Sequence, residues 1–367
     1  MEKASTFVGL DVHKDTIAIA VARLSEAEPH FVGTVNGTKA ALLKALGRLG
    51  PVPHLRLVYE AGPCGYALVR ELRGRGFACE VVAPSKVARP SGDRVKTDRR
   101  DALLLARLAR AGDLTTVTVP DVRDEAIRDL TRAREDAVAA RLKARQHIKA
   151  MLLRHGRPYT GKTSWTSAHE RYLASLAFEY SAQTFTFEEY RQAVHDADAR
   201  VERFNQVLRQ QLVDWRMRPV VEALMCLRGV DVVAAMTIVA ELGDLSRFAH
   251  PRELMGFLGL VPSEHTSGNH RHQGEITKTG NGHVRRILVE AAWNYRFAAK
   301  VSRTLLVRQE SQPKAVRDIA WKAQIRLGDR YRRLAARRLH HNKLCVAIAR
   351  ELAGFIWDIG RQVRPLA

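Results

Sequence analysis

The sequence predicts an α/β domain built on a mixed sheet, followed by a helical arm and a mostly helical C-terminal portion. Two patterns carry that prediction. Up to residue 83, short apolar runs with two-residue alternation are separated by polar turns and short helical stretches. Beyond residue 120 the apolar spacing becomes three and four. Strands that first meander and then alternate with helices give a mixed sheet with helices on its faces, and such sheets gather functional groups at strand carboxyl ends. A third observation places candidate groups there: Asp11, Glu60, Asp98 and Asp101 lie on or beside these runs.

Phe7, Val8, Leu10 and Val12 mark the first strand, and Ile17, Ile19 and Val21 the second, after a polar His-Lys-Asp turn. Residues 30–35 read as a third strand, and Leu42, Leu43, Leu46 and Leu49 as a helix. Residues 55–59 form a strand with Glu60 at its end. Gly62, Pro63 and Gly65 then turn the chain into a helix over 66–73, and 79–83 is another strand, stopped by Pro84. Asp98 and Asp101 open a further helix at i, i+3, so both can face one way. A charged helix runs over 121–155, closed by Gly156 and Pro158. A polar, aromatic-rich connection over 159–186 leads to a second long helix over 187–215. These two helices suit either a coiled-coil arm or a bundle. From Pro219 come a helix, a turn at Gly229, a helix, an exposed-looking basic stretch and terminal helices with basic faces. The expected division is 1–155, 156–217 and 218–367.

Sixty Lys and Arg against 39 Asp and Glu give a formal charge of +21. That imbalance attracts polyanions, with nucleic acid the leading partner and an anionic membrane surface the alternative. No run of roughly 18 apolar residues reads as a membrane span, and no basic-then-apolar leader opens the chain. Cys64, Cys79, Cys226 and Cys345 are scattered without metal-finger spacing, which fits a reducing compartment.

Four carboxylates from three segments describe a hard-cation site, most naturally magnesium or manganese, suited to phosphodiester chemistry. Lys96, Arg99 and Arg100 surround the last pair and can meet phosphate. The plainer reading makes Asp98 a helix-start residue favoured by the dipole and Asp101 a surface acid. Ser267, in EHTSGNHRHQGEITKTG, stands among His265, His270, Arg271, His272, Lys278 and Arg285. A hydroxyl attacking phosphorus there gives a covalent protein–DNA ester; the same stretch also reads as a loop that only holds backbone. Gly268, Gly274 and Gly280 allow backbone to approach a bulky ligand. Between Arg326 and Lys343 seven Arg or Lys accompany one acid. Arg332, Arg333, Arg337 and Arg338 there either track phosphate or form a solvated face. The expression GxxxxGKT at 156–163 leaves a charged helix rather than a strand, which argues against a phosphate loop.

GLDVHKDTIAIAV, VYEAGPCGY and KTDRRDALLLARL resemble the amino-terminal half of the DEDD-type, RuvC-like insertion-sequence transposases. LRGVDVVAAMTIVAELGDLSRF and FLGLVPSEHTSGNHRHQGEITKTGNGHVRRILVEAAW resemble their second domain. The resemblance implies a ribonuclease-H-like first domain and assigns Asp11, Glu60, Asp98 and Asp101 as its Mg2+ or Mn2+ ligands. It maps a nucleophilic serine to Ser267, with Thr266 where the family often has another serine and Ser263 as the fallback. It further implies cleavage and rejoining of donor and target DNA, guided by a structured bridge RNA. The enzyme would be a homo-oligomer, dimer or tetramer, whose active-site halves meet between protomers, in the bacterial cytoplasm at the nucleoid. Two alternatives stand beside it: a structure-selective nuclease resembling a Holliday-junction resolvase, and a non-catalytic nucleic-acid scaffold.

Overall fold

The structure, a computed structural model, describes residues 5–84, 87, 97–267 and 270–366, with side chains for all of these except 265–267, 270 and 271. Contacts divide the chain into two compact units, 1–120 and 121–367. The 33-residue helix Val122–Arg154, expected to close the first unit, packs within the second.

In the first unit, β1 (Thr6–Val12), β2 (Thr16–Arg23) and β3 (His30–Asn36) form an antiparallel meander. After α1 (Lys39–Leu46), β4 (Leu55–Glu60) pairs parallel to β1; after α2 (Ala67–Gly74), β5 (Ala78–Val82) pairs parallel to β4. The order β3-β2-β1-β4-β5 is the ribonuclease-H-like mixed sheet. Alternation decides its two faces. Val8, Leu10, Leu57 and Tyr59 pack with Leu42, Leu46, Val69 and Leu72 of α1 and α2. Phe7, Ala18, Ala20 and Val58 pack on the other face against Ala102, Leu105, Ala106 and Ala109 of α3 (Asp98–Ala111). Gly9 lets α3 cross β1 in backbone contact, since a Cβ there would stand 2.2 Å from the Ala102 carbonyl oxygen.

The second unit opens with α4 (Val122–Arg154). The expected connection contains a short helix, α5 (Ser167–Ala174), capped by the Thr166 hydroxyl, and α6 begins earlier than its apolar pattern, at Ser181, ending at Val213. Arg134 meets Asn205, while Arg141 and Arg145 meet Asp198, so α4 and α6 run antiparallel. Phe187, Val194, Val201 and Leu208 are the buried residues of α6, at a strict seven-residue repeat, the seam of a coiled-coil pair. The phosphate-loop expression is accounted for here: the Tyr159 ring covers Gly161.

The rest of the unit shares one core. Its helices are α7 (Arg218–Leu224), α8 (Val232–Leu242), α9 (Pro251–Phe257), α10 (Gly282–Ala292), α11 (Arg303–Gln309), α12 (Lys314–Ala336) and α13 (His341–Gln362), all but α11 contributing to that core. The Gly229 turn between α7 and α8 faces the Ala291 carbonyl and Asn294, so it serves helix packing. The expected basic loop forms an antiparallel hairpin, β6 (Pro262–Ser267) and β7 (His270–Ile276).

Candidate active site

Asp11 and Glu60 follow the last register pair of the neighbouring parallel strands β1 and β4, Leu10 with Tyr59. Leu10 and Tyr59 face α1 and α2. The next residue on each strand therefore points to the α3 face. The buried stripe of α3, Ala102, Leu105, Ala106 and Ala109, continues upstream at helical spacing into Asp101 and Asp98. The Thr97 hydroxyl caps this helix by accepting from the Arg100 amide at 3.3 Å. Strand alternation and helix period thus direct the four acids toward one corner of the unit.

His13, just beyond β1, closes the arrangement. Its Nε2 lies 3.3 Å from Asp11 Oδ2 and 3.5 Å from Asp98 Oδ1. Ligand atoms of Asp11, His13 and Asp98 all fall within 4.8 Å of one another, close enough to share a divalent cation. Glu60 and Asp101 are outside that group of three. Asp101 is near enough for its charge to act on Asp11, and Glu60 is partly buried at the adjoining strand end. Burial pushes the Asp11 carboxyl above its ordinary value; the charges of Asp98 and Asp101 push the same way, and His13 opposes them. A partly buried carboxylate among other carboxylates is the donor set that a hard cation satisfies. This cluster is a divalent-metal centre suited to magnesium or manganese.

Arg99 turns away, its guanidinium 5.3 Å from the centre of the Phe31 ring on β3. Arg100 is exposed on the first turn of α3, and Lys96 lies outside the described residues.

In the second unit, Ser267 ends β6 and pairs with His270 across the hairpin, and Thr266 pairs with Arg271. The Ser267 and Arg271 side chains lie outside the described residues. The hairpin base is tied internally. Arg285, expected to meet nucleic acid, donates to the carbonyls of Leu258 at 2.8 Å and Thr279 at 3.0 Å. Gly280 approaches the Phe257 carbonyl, and Gly274 lies under the Ser263 hydroxyl, so both close approaches are made to protein rather than left for a ligand. Gly268 lies outside the described residues. Lys278 is exposed and pairs with Glu275 at 3.0 Å. Arg332 pairs with Asp329, whereas Arg333, Arg337 and Arg338 are exposed at the end of α12 and just beyond it.

Comparison with known proteins agrees with both units. One family model, described as "Transposase", matches residues 8–156. Another, described as "Transposase IS116/IS110/IS902 family", matches residues 221–305. A Sinorhizobium fredii protein named as a transposase is 45% identical, covering 98% of this chain and 89% of its own length. The chain belongs to the IS116/IS110/IS902 family of transposases. A Leptospira borgpetersenii transposase for insertion sequence element IS1533 is 31% identical over 92% of this chain and 98% of its own length. One for IS1111A from Coxiella burnetii is 25% identical over 83% and 77% respectively. As a member of this family the chain is an enzyme acting on DNA, and its first unit carries a metal-binding, RuvC-like centre. His13 is the member of that centre the sequence reading did not single out. No helix among the described residues is long and apolar enough to cross a membrane.

Proposed function

We propose that this transposase cleaves and rejoins DNA strands with Ser267 as nucleophile and a divalent cation held by Asp11, Glu60, Asp98 and Asp101, with His13 at the same corner. The observation that carries the metal half is the grouping of Asp11, His13 and Asp98 within 4.8 Å at the carboxyl end of β1. A bound Mg2+ or Mn2+ supplies electrostatic stabilisation of the phosphodiester as charge develops on its oxygens. Asp11 and Asp98, with His13 beside them, would hold the cation at the carboxyl end of β1. At Ser267 the hydroxyl oxygen bonds to phosphorus and one strand oxygen leaves, taking a proton to become a hydroxyl. Attack on the phosphoserine ester by another strand's hydroxyl restores both serine and phosphodiester. Lys96, Arg99, Arg100, Arg271, Lys278, Arg332, Arg333, Arg337 and Arg338 are proposed to contact nucleic acid. The family resemblance supports a bridge RNA that selects donor and target DNA, and a homodimer or tetramer; the division of the chain at 155 and 217 is proposed as one of role, since by contacts α4 belongs with the second unit.

A second reading is hydrolysis by the carboxylate centre alone, as in a structure-selective nuclease, because every group that chemistry needs lies in the first unit. The deciding experiment incubates the protein with element-end junction DNA, its flanking RNA and Mg2+, followed by a denaturing gel with and without protease. A protease-sensitive adduct that is lost in Ser267→Ala, and depends on both Mg2+ and Asp11, is the expected result. Persistence of the adduct in Ser267→Ala moves the nucleophile to Ser263 or Thr266. Hydrolysed ends with no adduct in wild type establish the nuclease reading.

A further inference from the structure

Beside the hairpin that carries Ser267 lies a cavity of about 970 Å³, bounded by β7, α9, α12 and α13. Its apolar lining includes Met255, Leu260, Ile276, Val346 and Ala347. Lys343, Val346, Ala347 and Arg350 fall at i, i+3, i+4 and i+7 on α13, one face with a cation at each end. Six Lys or Arg line the cavity against two acids, Glu275 and Glu351. Both acids are committed: Glu275 to Lys278 at 3.0 Å, and Glu351 to Arg326 at 2.9 Å and Arg330 at 3.0 Å. Arg252, Lys343 and Arg350 remain exposed and form no ion pair within 4.0 Å among the described residues, although the charge of Lys343 also reaches Glu275.

We propose that this groove holds an unpaired DNA strand next to the serine hairpin, with Arg252, Lys343 and Arg350 on its phosphates and its bases over the Met255, Ile276 and Val346 floor. Surplus cations around an apolar floor complement a ligand that is polyanionic on one side and flat and apolar on the other. A single strand has both faces available, whereas a duplex hides its bases in the stack. Pro262 of β6 also lines the cavity, so the groove is continuous with the strand that ends at Ser267. That continuity selects DNA as the occupant, and to this extent the proposal rests on Ser267 acting on DNA. No Phe, Tyr or Trp among the described residues lines the groove, so phosphate contacts rather than stacking lead the binding.

The test compares full-length Ser267→Ala protein with the same protein carrying Arg252→Gln, Lys343→Gln and Arg350→Gln. Fluorescence anisotropy is read on a labelled oligodeoxythymidylate, an RNA of equal length and a DNA duplex, across a salt series. The triple variant is expected to lose about tenfold or more in single-strand DNA affinity at low salt. Its log–log salt slope should flatten by about 2, since each single-strand phosphate contact contributes about 0.7. Duplex affinity should stay within about twofold. Ala347→Trp, which fills the floor and removes no charge, is expected to give the same selective loss, separating occlusion from charge. Unchanged single-strand affinity in both variants overturns the proposal, as does an equal loss on all three ligands, which marks a diffuse charged surface. A larger loss on RNA than on DNA reassigns the groove to RNA and overturns it as stated. Because binding is read without chemistry, its failure is separate from failure of the serine reading, which adduct formation reports.

Discussion

Asp11 holds its charge against its surroundings: burial raises its pKa first, then the charges of Asp98 and Asp101, with His13 opposing. A carboxyl whose folded pKa is raised contributes stability below its ordinary value and loses that contribution as pH rises through the raised value. At neutral pH the ionised group is therefore a net cost in the metal-free protein. A divalent cation reverses that sign and adds stability by mass action, about 2.7 kcal/mol at a hundredfold excess over Kd. Melting at pH 7 should accordingly shift upward with Mg2+ or Mn2+. In Asp11→Asn the shift should vanish, while the metal-free variant melts no lower than the parent; a shift that survives removes Asp11 from the centre. His13→Ala should weaken Mn2+ more than Mg2+, because Mg2+ favours oxygen donors while an imidazole is better tolerated by Mn2+. Equal affinities before and after substitution, read by metal titration, would leave His13 as a neighbour only. Glu60 and Asp101 are proposed members of the centre; Asp11 was legible because an acid on an apolar strand run is out of place, and Asp98 because it opens a helix at i, i+3 to Asp101. His13 was not, since a polar residue in a turn has no periodic partner. Its one signal was its position two residues after Asp11.

Helix α3 brings Asp98 and Asp101 to the sheet, and Gly9 sets how closely it can lie. A Cβ at Gly9 would meet the Ala102 oxygen at 2.2 Å and the Ala106 nitrogen at 2.5 Å, both helix backbone, which cannot rotate aside. Gly9→Ala should destabilise the first unit by about 1–3 kcal/mol and weaken metal binding along with it, as α3 is pushed off β1. Melts and metal titration check this; normal values for both would show that the helix can be displaced without consequence. In the second unit Glu241 ties three helices. From α8 it accepts from Arg132 of α4 at 2.6 and 3.0 Å and from Asn281, the cap of α10, at 2.7 Å. Its side chain is 1% exposed. Burial raises its pKa, but the bonds from Arg132 and Asn281 and the charges of Arg132 and Arg128 outweigh burial, so the net shift is downward from 4.5. A lowered carboxyl stabilises above its ordinary value and loses that contribution as pH falls through the lowered one. Glu241→Gln should cost about 3–5 kcal/mol at pH 7 and less as pH drops below 4.5; a cost independent of pH in melts from pH 7 to 3 would assign it to shape alone. At this scale the sheet was legible as short apolar runs bounded by polar turns, its central strands β1 and β2 being buried on both faces. The β6–β7 hairpin was not, because HTS and HRHQGE carry no apolar alternation.

The formal charge of +21 acts on the molecule as a whole, through self-repulsion when free and attraction to phosphate when bound. Not all of it is available to a ligand. Arg132 and Arg286 are spent on Glu241 and Glu135, and Arg285 on carbonyls, so the sequence count overstates the binding surface. Arg333, Arg337 and Arg338 are different: they are exposed along one stretch with no acid facing them among the described residues, while Arg332 is shared with Asp329. Each duplex phosphate that is neutralised contributes about 0.9 to the negative log–log salt slope. If this stretch follows the backbone of duplex DNA, replacing Arg332, Arg333, Arg337 and Arg338 with Gln should flatten the slope by about 3 to 4, with Arg332 giving the smallest share because it must leave Asp329. The same substitution should leave the melting temperature within error, since exposed arginines of this kind contribute little to folding. An unchanged slope with an unchanged melt assigns the stretch to solvent. A flattened slope on duplex DNA, beside the selective single-strand loss expected at Arg252, Lys343 and Arg350, would separate two nucleic-acid surfaces on one unit by the form of the strand each prefers.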